Sequence, residues 1–492
     1  MIYSTNIKKT FTVYIVVFCS IFFLFATASA TTYYIDYEAA DDSANGTTSG
    51  TPWKRCPGMV GFAGSYSHSA GDVFVFKGGV TWPSAVFNLS IANSGADGNP
   101  DIYIGGQRQG TPWGSGYPVF DGGAVNGRLC IWGAGESYIT IDGIKIINCG
   151  YTDASGQAIN FPGGSGITVK NCWLQPNSIN AFAYSTTSGN YSAVYFHDNI
   201  IKQAGRLHVT VGDATCDDFQ FYNNTMYGAI DYDSQTYHKD GFMIGADGDG
   251  SYKATNLKIY NNKFLGDWSQ GATAMIYVNG TPNTYKSWQN VYVYNNQCVI
   301  ENNTGTALSP ALGVYVIQCD NLNIWNNTID GRALDVHNGT GIFLGYENNN
   351  VDIRNNIICG MDNAIIFQAG TTGDITIGNN LFYDNTHLLW DVVTSNRYDT
   401  CAAIPEGYKG TYCSVSDPEF VTLPSGGVVD SGNWHIQASS PAIGEGIDFS
   451  GTFTTDIDGK IRGSSWDIGA YQQYTTTNPT APQPPTNLRV FP

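Results

Sequence analysis

Phe221-Tyr222-Asn223-Asn224 returns along the chain as Ile259-Tyr260-Asn261-Asn262, Val293-Tyr294-Asn295-Asn296, Ile324-Trp325-Asn326-Asn327, Ile353-Arg354-Asn355-Asn356 and Ile377-Gly378-Asn379-Asn380. Degenerate copies precede them at Val169-Lys170-Asn171 and Phe196-His197-Asp198-Asn199. The first Asn column, with Asp198 standing in once, runs 171, 198, 223, 261, 295, 326, 355, 379, so the spacings are 27, 25, 38, 34, 31, 29 and 24 residues. A repeat of this length marks a stacked solenoid fold. Apolar and polar residues alternate before each Asn pair, as in Leu257-Lys258-Ile259-Tyr260, so the unit is a strand and the stack a β-solenoid.

Strand parity places Leu257, Ile259 and Asn261 on one face. The expectation is that the first Asn of each pair points inward and joins a hydrogen-bonded amide ladder with a step of about 4.8 Å. The second Asn is then the one expected to take the left-handed conformation at a sharp bend. A second strand set lies between the ladder strands: His208–Gly212, Gly241–Gly245, Ala274–Tyr277, Gly313–Val316, Gly341–Gly345 and Ala364–Phe367. No amphipathic helices intervene, which favours parallel coils over βαβ units. The fold class read from these features is all-β, a parallel β-helix with an Asn ladder.

The ends read differently. Lys8 and Lys9 precede an apolar run from Val13 to Phe25, and Ala28-Ser29-Ala30 is a small-residue cleavage site. Residues 1–30 are therefore expected to be a signal peptide, and the chain to be secreted or held at the cell surface. No other stretch is long enough to span a bilayer. Residues 31–128 are expected to form an N-terminal cap and the first coils, 129–416 the regular coils, 417–474 a C-terminal closing segment and 475–492 a Thr/Pro-rich tail.

The full chain has 23 basic and 41 acidic residues, a net charge of −18. Removing residues 1–30 takes away two lysines and no acid, leaving 21 against 41, a charge of −20. That excludes nucleic acid as a natural partner and suits cation binding. Only 13% of residues are charged, as in turn-rich extracellular β-proteins; the chain is expected to be a monomer. Of 11 cysteines, Cys401 and Cys413 are the expected disulfide pair, while Cys172 and Cys298 are expected to fill the interior.

Tyr33–Asp36 with Pro52-Trp53-Lys54, the Asn repeats, Ser440–Gly444 and the Asp456–Tyr471 ending resemble secreted bacterial proteins of the pectin-lyase-like superfamily. The resemblance covers nearly all of residues 31–471. It implies a right-handed coil, and its members include uronate lyases, glycoside hydrolases, epimerases and proteins without catalysis.

The densest polar constellation runs from Arg206 to Lys253 and spans the 38-residue gap in the repeat. Extra length in a solenoid maps to loops on one face, often the binding face. Uronate lyases need a positive group on the sugar carboxylate, a base for the C5 proton and help for the leaving oxygen. In the lyases this chain resembles, Ca²⁺ often serves the first need and Lys or Arg the second. Asp231, Asp233, Asp240, Asp247 and Asp249 are the candidate Ca²⁺ ligands. Lys239 or Arg206 is the candidate base, supported by His208, His238 or Tyr237. Aligning His208 with Gly241 would stack Arg206 over Lys239 in adjacent coils. The bland reading is that Asp247-Gly248-Asp249-Gly250 is a turn and that His238 and Asp240 staple a bend.

Thinner candidates are Asp330 with Arg332, and the mid-coil pair Asp217-Asp218. No serine-nucleophile elbow, HExxH, P-loop or CxxC motif occurs. The outward rings Tyr222, Tyr260, Tyr294 and Trp325 could stack on sugars or shield the coil. The leading expectation is an exported, polysaccharide-active lyase of uronate glycans. The rivals are a non-catalytic glycan-binding surface protein and an inverting glycoside hydrolase.

Overall fold

The computed structural model describes residues 29–150, 156–228, 239–246, 254–266, 273–280, 287–301, 312–333, 339–408, 410–423 and 432–473. Residues 1–28 and 474–492, and with them most of the expected signal peptide and the expected tail, lie outside these.

The strands of the coils pair in parallel in three series, while Asn396–Tyr398 and the pair Phe420–Thr422 with Asn433–Ile436, beyond the coils, pair antiparallel. The ladder series carries the repeat: Ala254–Tyr260, Trp288–Tyr294, Cys319–Trp325, Asn349–Arg354 and Thr372–Gly378. A short corner series follows each Asn pair, as in Lys263–Gly266, Gln297–Glu301 and Thr328–Ala333. The face series is the second strand set of the sequence: Phe242–Ala246, Ala274–Asn279, Leu312–Val316, Thr340–Leu344 and Asn363–Phe367. Successive strands of each series stack in register, with Phe242 on Ile276, Ile276 on Val314 and Val314 on Ile342. The molecule is a right-handed parallel β-helix.

Alternation decides what is inside. Leu207, Phe242, Ile276, Val314, Ile342, Ile365 and Leu389 form one inward column from the face series, each at most 1% exposed. Phe264, Cys298, Ile329 and Ile358 form another from the corner series, all fully buried. Cys298 and Cys172 are thus interior filler as expected, and Cys401–Cys413 is a disulfide.

The Asn pair works the other way round from the sequence reading. The first residue of every pair, from Asn171 to Asn379 and including Asp198, has φ between 51° and 59°. It is this first residue that makes the bend. The left-handed residue rotates the chain, so strand parity does not carry across it, and the second Asn turns inward. Asn199, Asn224, Asn262, Asn296, Asn327, Asn356 and Asn380 form the ladder, each at most 1% exposed. Asn262 shows the unit. Its backbone N–H and its Nδ2 both donate to Asn296 Oδ1 at 3.0 Å, and Nδ2 also donates to Phe221 O at 2.9 Å. Each buried amide is satisfied by its neighbours, which is what permits a polar row inside the coil.

Residues 432–473 do not simply cover the last coil. They run back along its flank, held by the first-Asn column. Asn379 Nδ2 donates to Glu445 O at 2.7 Å, Asn355 Nδ2 to Ile447 O at 2.8 Å, and Asn295 Nδ2 to Thr455 O at 2.8 Å. Asn326 Nδ2 donates to Asp467 O at 3.0 Å. This strap also settles part of the aromatic stripe. Phe453 stacks on Tyr294 at 4.4 Å and Phe449 on Trp325 at 4.1 Å, so those two rings are shielded. The stack continues uncovered by these rings through Tyr260 and Tyr222 to His197, at spacings of 4.9, 4.8 and 4.5 Å.

Candidate functional site

Four of the residues singled out in the sequence lie within the described structure: Arg206, His208, Lys239 and Asp240. Asp231, Asp233, Tyr237, His238, Asp247 and Asp249 lie outside it. The four sit where the long strand Ala204–Tyr222 meets the entry to Phe242–Ala246, on the face series.

The register differs from the alignment made on sequence. Leu207 pairs with Phe242 and His208 with Met243, not with Gly241. Arg206 is therefore level with Gly241, and Lys239 enters the coil two residues earlier. The direct stack of Arg206 on Lys239 does not form. The cause is packing: Phe242 lies between Leu207 and Ile276 in the inward column, whereas the sequence alignment would set the Asp240 carboxylate at the level of Leu207.

Asp240 is fully buried. Its N–H donates to Gly205 O at 3.0 Å, and its Oδ1 accepts from Ala274 N at 3.1 Å. The side chain thereby takes a backbone donor of the next coil. Oδ2 has no hydrogen-bond partner. Burial pushes the carboxyl up to about 7, against the opposing pull of the Ala274 hydrogen bond and the Arg206 charge. Arg206 Nε donates to Asn180 Oδ1 at 3.3 Å, and its Nη1 lies 3.6 Å from Met243 Sδ. His208 is half-buried with Nε2 3.1 Å from Thr210 Oγ1. Burial, then the Arg206 charge, brings its pKa down to about 4, so it is neutral at pH 7. Lys239 is 1% exposed, and its carbonyl accepts from Thr273 N at 3.1 Å.

An aromatic platform adjoins this polar group on the same face. In register, His208 is followed by Met243, Tyr277, Tyr315 and Phe343. Tyr277 stacks on Tyr315 at 4.8 Å, and Tyr315 meets Phe343 edge-on at 4.7 Å. The sequence reading overlooked this column. Its signal was present in Ile276-Tyr277, Val314-Tyr315 and Ile342-Phe343, where the residue after each inward one must face out.

Among the described residues no group of three His, Cys, Asp or Glu side chains converges as metal ligands. Asp240, with its free oxygen, is the one described member of the proposed Ca²⁺ set, and a single carboxylate does not meet the six to eight oxygens that Ca²⁺ takes.

The other candidates are structural. Asp218 occupies a left-handed position with φ of 55° and accepts from Tyr195 Oη at 2.6 Å, while Asp217 accepts from Thr255 and Asn256. Asp330 pairs with Arg332 at 2.8 Å and accepts from Trp434 Nε1 at 2.9 Å, anchoring the closing segment.

A shallow groove of about 310 Å³ lies on the outer side of the ladder series. Tyr292, Asn323, Asp352 and Asp374 line it, together with an outer amide row, Asn290, Asn321 and Asn350. Asn321 Nδ2 donates to Asn290 Oδ1 at 3.1 Å within that row. No described helix is long and apolar enough to cross a membrane.

No protein-family model and no curated protein matches the sequence. Solved structures are similar in fold. The pectate lyase Pel9A is 15% identical over 91% of this chain and 98% of its own, with a TM-score of 0.43. A lacto-N-biosidase from Eubacterium ramulus is 10% identical over 78% of this chain and 67% of its own, with a TM-score of 0.46. PfbA, a surface adhesin of Streptococcus pneumoniae, is 12% identical over 65% of this chain and 84% of its own, with a TM-score of 0.37. The likeness is one of fold alone.

Proposed function

We propose that this is an exported, polysaccharide-active protein that cleaves uronate-containing glycans by β-elimination on the outward side of the face series. The observation that carries this reading is the outward group of Arg206 and neutral His208 at the head of the column Met243, Tyr277, Tyr315 and Phe343. Arg206 supplies positive charge for the sugar carboxylate, which makes the C5 proton more acidic. Lys239, which shares the outward parity of Gly241 and Arg206, is the base for the C5 proton, whereas Asp240, fully buried on the inward parity of Phe242, does not touch the substrate. Neutral His208 can hydrogen-bond the leaving oxygen or a water beside it. Tyr315 and Phe343 offer faces for adjoining sugars.

Ca²⁺ assistance belongs to the proposal through Asp240 and the aspartates at 231, 233, 247 and 249. Bound there, the ion would add positive charge at the substrate carboxylate.

The test is incubation with a panel of uronate polymers, following the ultraviolet absorbance of unsaturated ends. Loss of turnover in Lys239→Met, with folding and glycan binding unchanged, assigns the base to Lys239; full turnover in that variant removes it from the role. Loss of turnover on adding a chelator, restored by Ca²⁺, supports the ion. No absorbance with any polymer sinks the lyase reading.

A second reading is a glycan-binding surface protein without catalysis. The groove lined by Tyr292 and the outer amide row favours it, because a ring beside fixed amides suits a sugar. Retention of a glycan with no product, abolished by Tyr292→Ala, would establish that alternative.

A further inference from the structure

We propose that Cys130 and Cys149 form a second disulfide, which ties together the first regular coil. Both side chains are fully buried, and their sulfurs are 3.0 Å apart. That is closer than unbonded sulfurs pack, and the thiol is too weak a donor to draw them so near. It is one step from the covalent length of about 2.04 Å.

The bond lies off the amide ladder, in a coil that precedes the start of that row. Asn199 Oδ1 accepts from Cys172 N at 2.9 Å, and Asn199 is the first amide of the row. Trp173 pairs with Lys145, so the corner residue one coil earlier is Ile144, which has no side-chain amide to give. Cys130 lies on the strand Leu129–Trp132, and Cys149 follows the strand Lys145–Ile147 of the same coil. A bond between them closes the coil on itself at the junction with the cap. Buried in the native core, the Cys149 thiol is pushed well above its ordinary pKa and is inert there. The bond therefore forms during folding, before the coil closes. Each thiol loses a proton and the pair gives two electrons to a disulfide oxidant, such as oxidised glutathione or a thiol oxidoreductase, which leaves as two thiols.

The experiment uses the full chain, exported into an oxidising compartment. It is denatured without reductant, labelled with N-ethylmaleimide, and compared by mass with a sample reduced before labelling. With Cys401–Cys413 as the other bond, reduction exposes four further thiols, and digestion yields a linked Cys130–Cys149 peptide. Two further thiols, with Cys130 and Cys149 both labelled in the unreduced sample, overturn the proposal. Cys172 and Cys298, labelled in both samples, are the controls. In addition, the Cys130→Ala/Cys149→Ala variant should melt about 5 °C lower than the wild type. The mapping is done on the wild type, so a variant that fails to fold leaves the decision intact.

Discussion

Arg462 Nη2 donates to Asn295 Oδ1 at 2.8 Å, joining the strap to a coil 167 residues earlier in the sequence. The guanidinium is completely buried. It also donates to the carbonyls of Asp467, Gly469 and Ala470, at 3.2, 2.9 and 3.1 Å. Burial lowers its pKa to about 10, so it stays charged at neutral pH while Asp456 and Asp467 lie near it. One side chain thus organises the return of the strap and the bend of a coil.

Replacing that side chain with an apolar one of similar size removes the Arg462 donor from Asn295 Oδ1 and from three carbonyls, which keep only their bonds from Asn326 Nδ2 and Ile457 N. Arg462→Met should cost about 3 kcal/mol in denaturant unfolding. The strap should also become the first site of limited proteolysis, between residues 445 and 470. Unchanged stability and an unchanged digestion pattern would show that the strap is held without Arg462, by the asparagine column and its aromatic contacts.

The two asparagines of each pair should respond oppositely to glycine. Asn223 is exposed and left-handed, at φ 55°, a conformation glycine adopts without strain, so Asn223→Gly should shift stability by less than about 1 kcal/mol. Asn224 is buried and donates from both N and Nδ2 to Asn262 Oδ1 at 3.0 Å. Asn224→Gly keeps the backbone donor but removes the Nδ2 bonds to Asn262 Oδ1 and Phe196 O and the Oδ1 that accepts from Asn199, and should cost about 3 kcal/mol. Equal effects of the two substitutions would count against the ladder as described.

The pH dependence of stability carries a signature of the site. Asp240 is raised from 3.8 to about 7, so between those values the folded state holds more protons than the unfolded one. Its contribution is fully present below about pH 4 and is lost as pH rises through 7. His208 is lowered from 6.5 to about 4, so its contribution is present above about 6.5 and lost as pH falls through 4. The two oppose each other over the same window. Asp240→Asn should be more stable than wild type at pH 8, by on the order of 4 kcal/mol, with the advantage shrinking steadily towards pH 4. A difference that does not vary with pH would mean the carboxyl is not raised.

The open end of the ring stack should matter less to stability than its covered end. Tyr294 carries Phe453 on one face and is 6% exposed, whereas Tyr222 is half-buried. Tyr294→Ala should cost about 4 kcal/mol and Tyr222→Ala about 1 kcal/mol, read from unfolding midpoints. Equal costs would mean that the strap does not seal the stripe.

Much of the fold was legible because a solenoid writes its architecture into one dimension. The period, the two flanking strand sets and the Cys401–Cys413 pair follow from residues close together in the sequence. The inward Asn was misread because parity was carried through a residue whose backbone breaks it; only φ at Asn261 shows that Asn262 is the one that turns in. The candidate site was legible as a cluster and not as a geometry. Arg206 and Lys239 looked superposable when glycines were aligned, whereas the filling of the interior set the register by Leu207 and Phe242.

By itself, the order of residues determined that the chain coils, where its strands lie and which coils carry extra length, since strand alternation and turn chemistry are local. Tertiary structure alone decided that Asp240 loses its water beside Arg206, that Tyr277, Tyr315 and Phe343 line up beside them, and that Arg462 comes back to Asn295. Those outcomes depend on the register between coils and on burial, which arise only when segments far apart in the chain compete to fill the same interior.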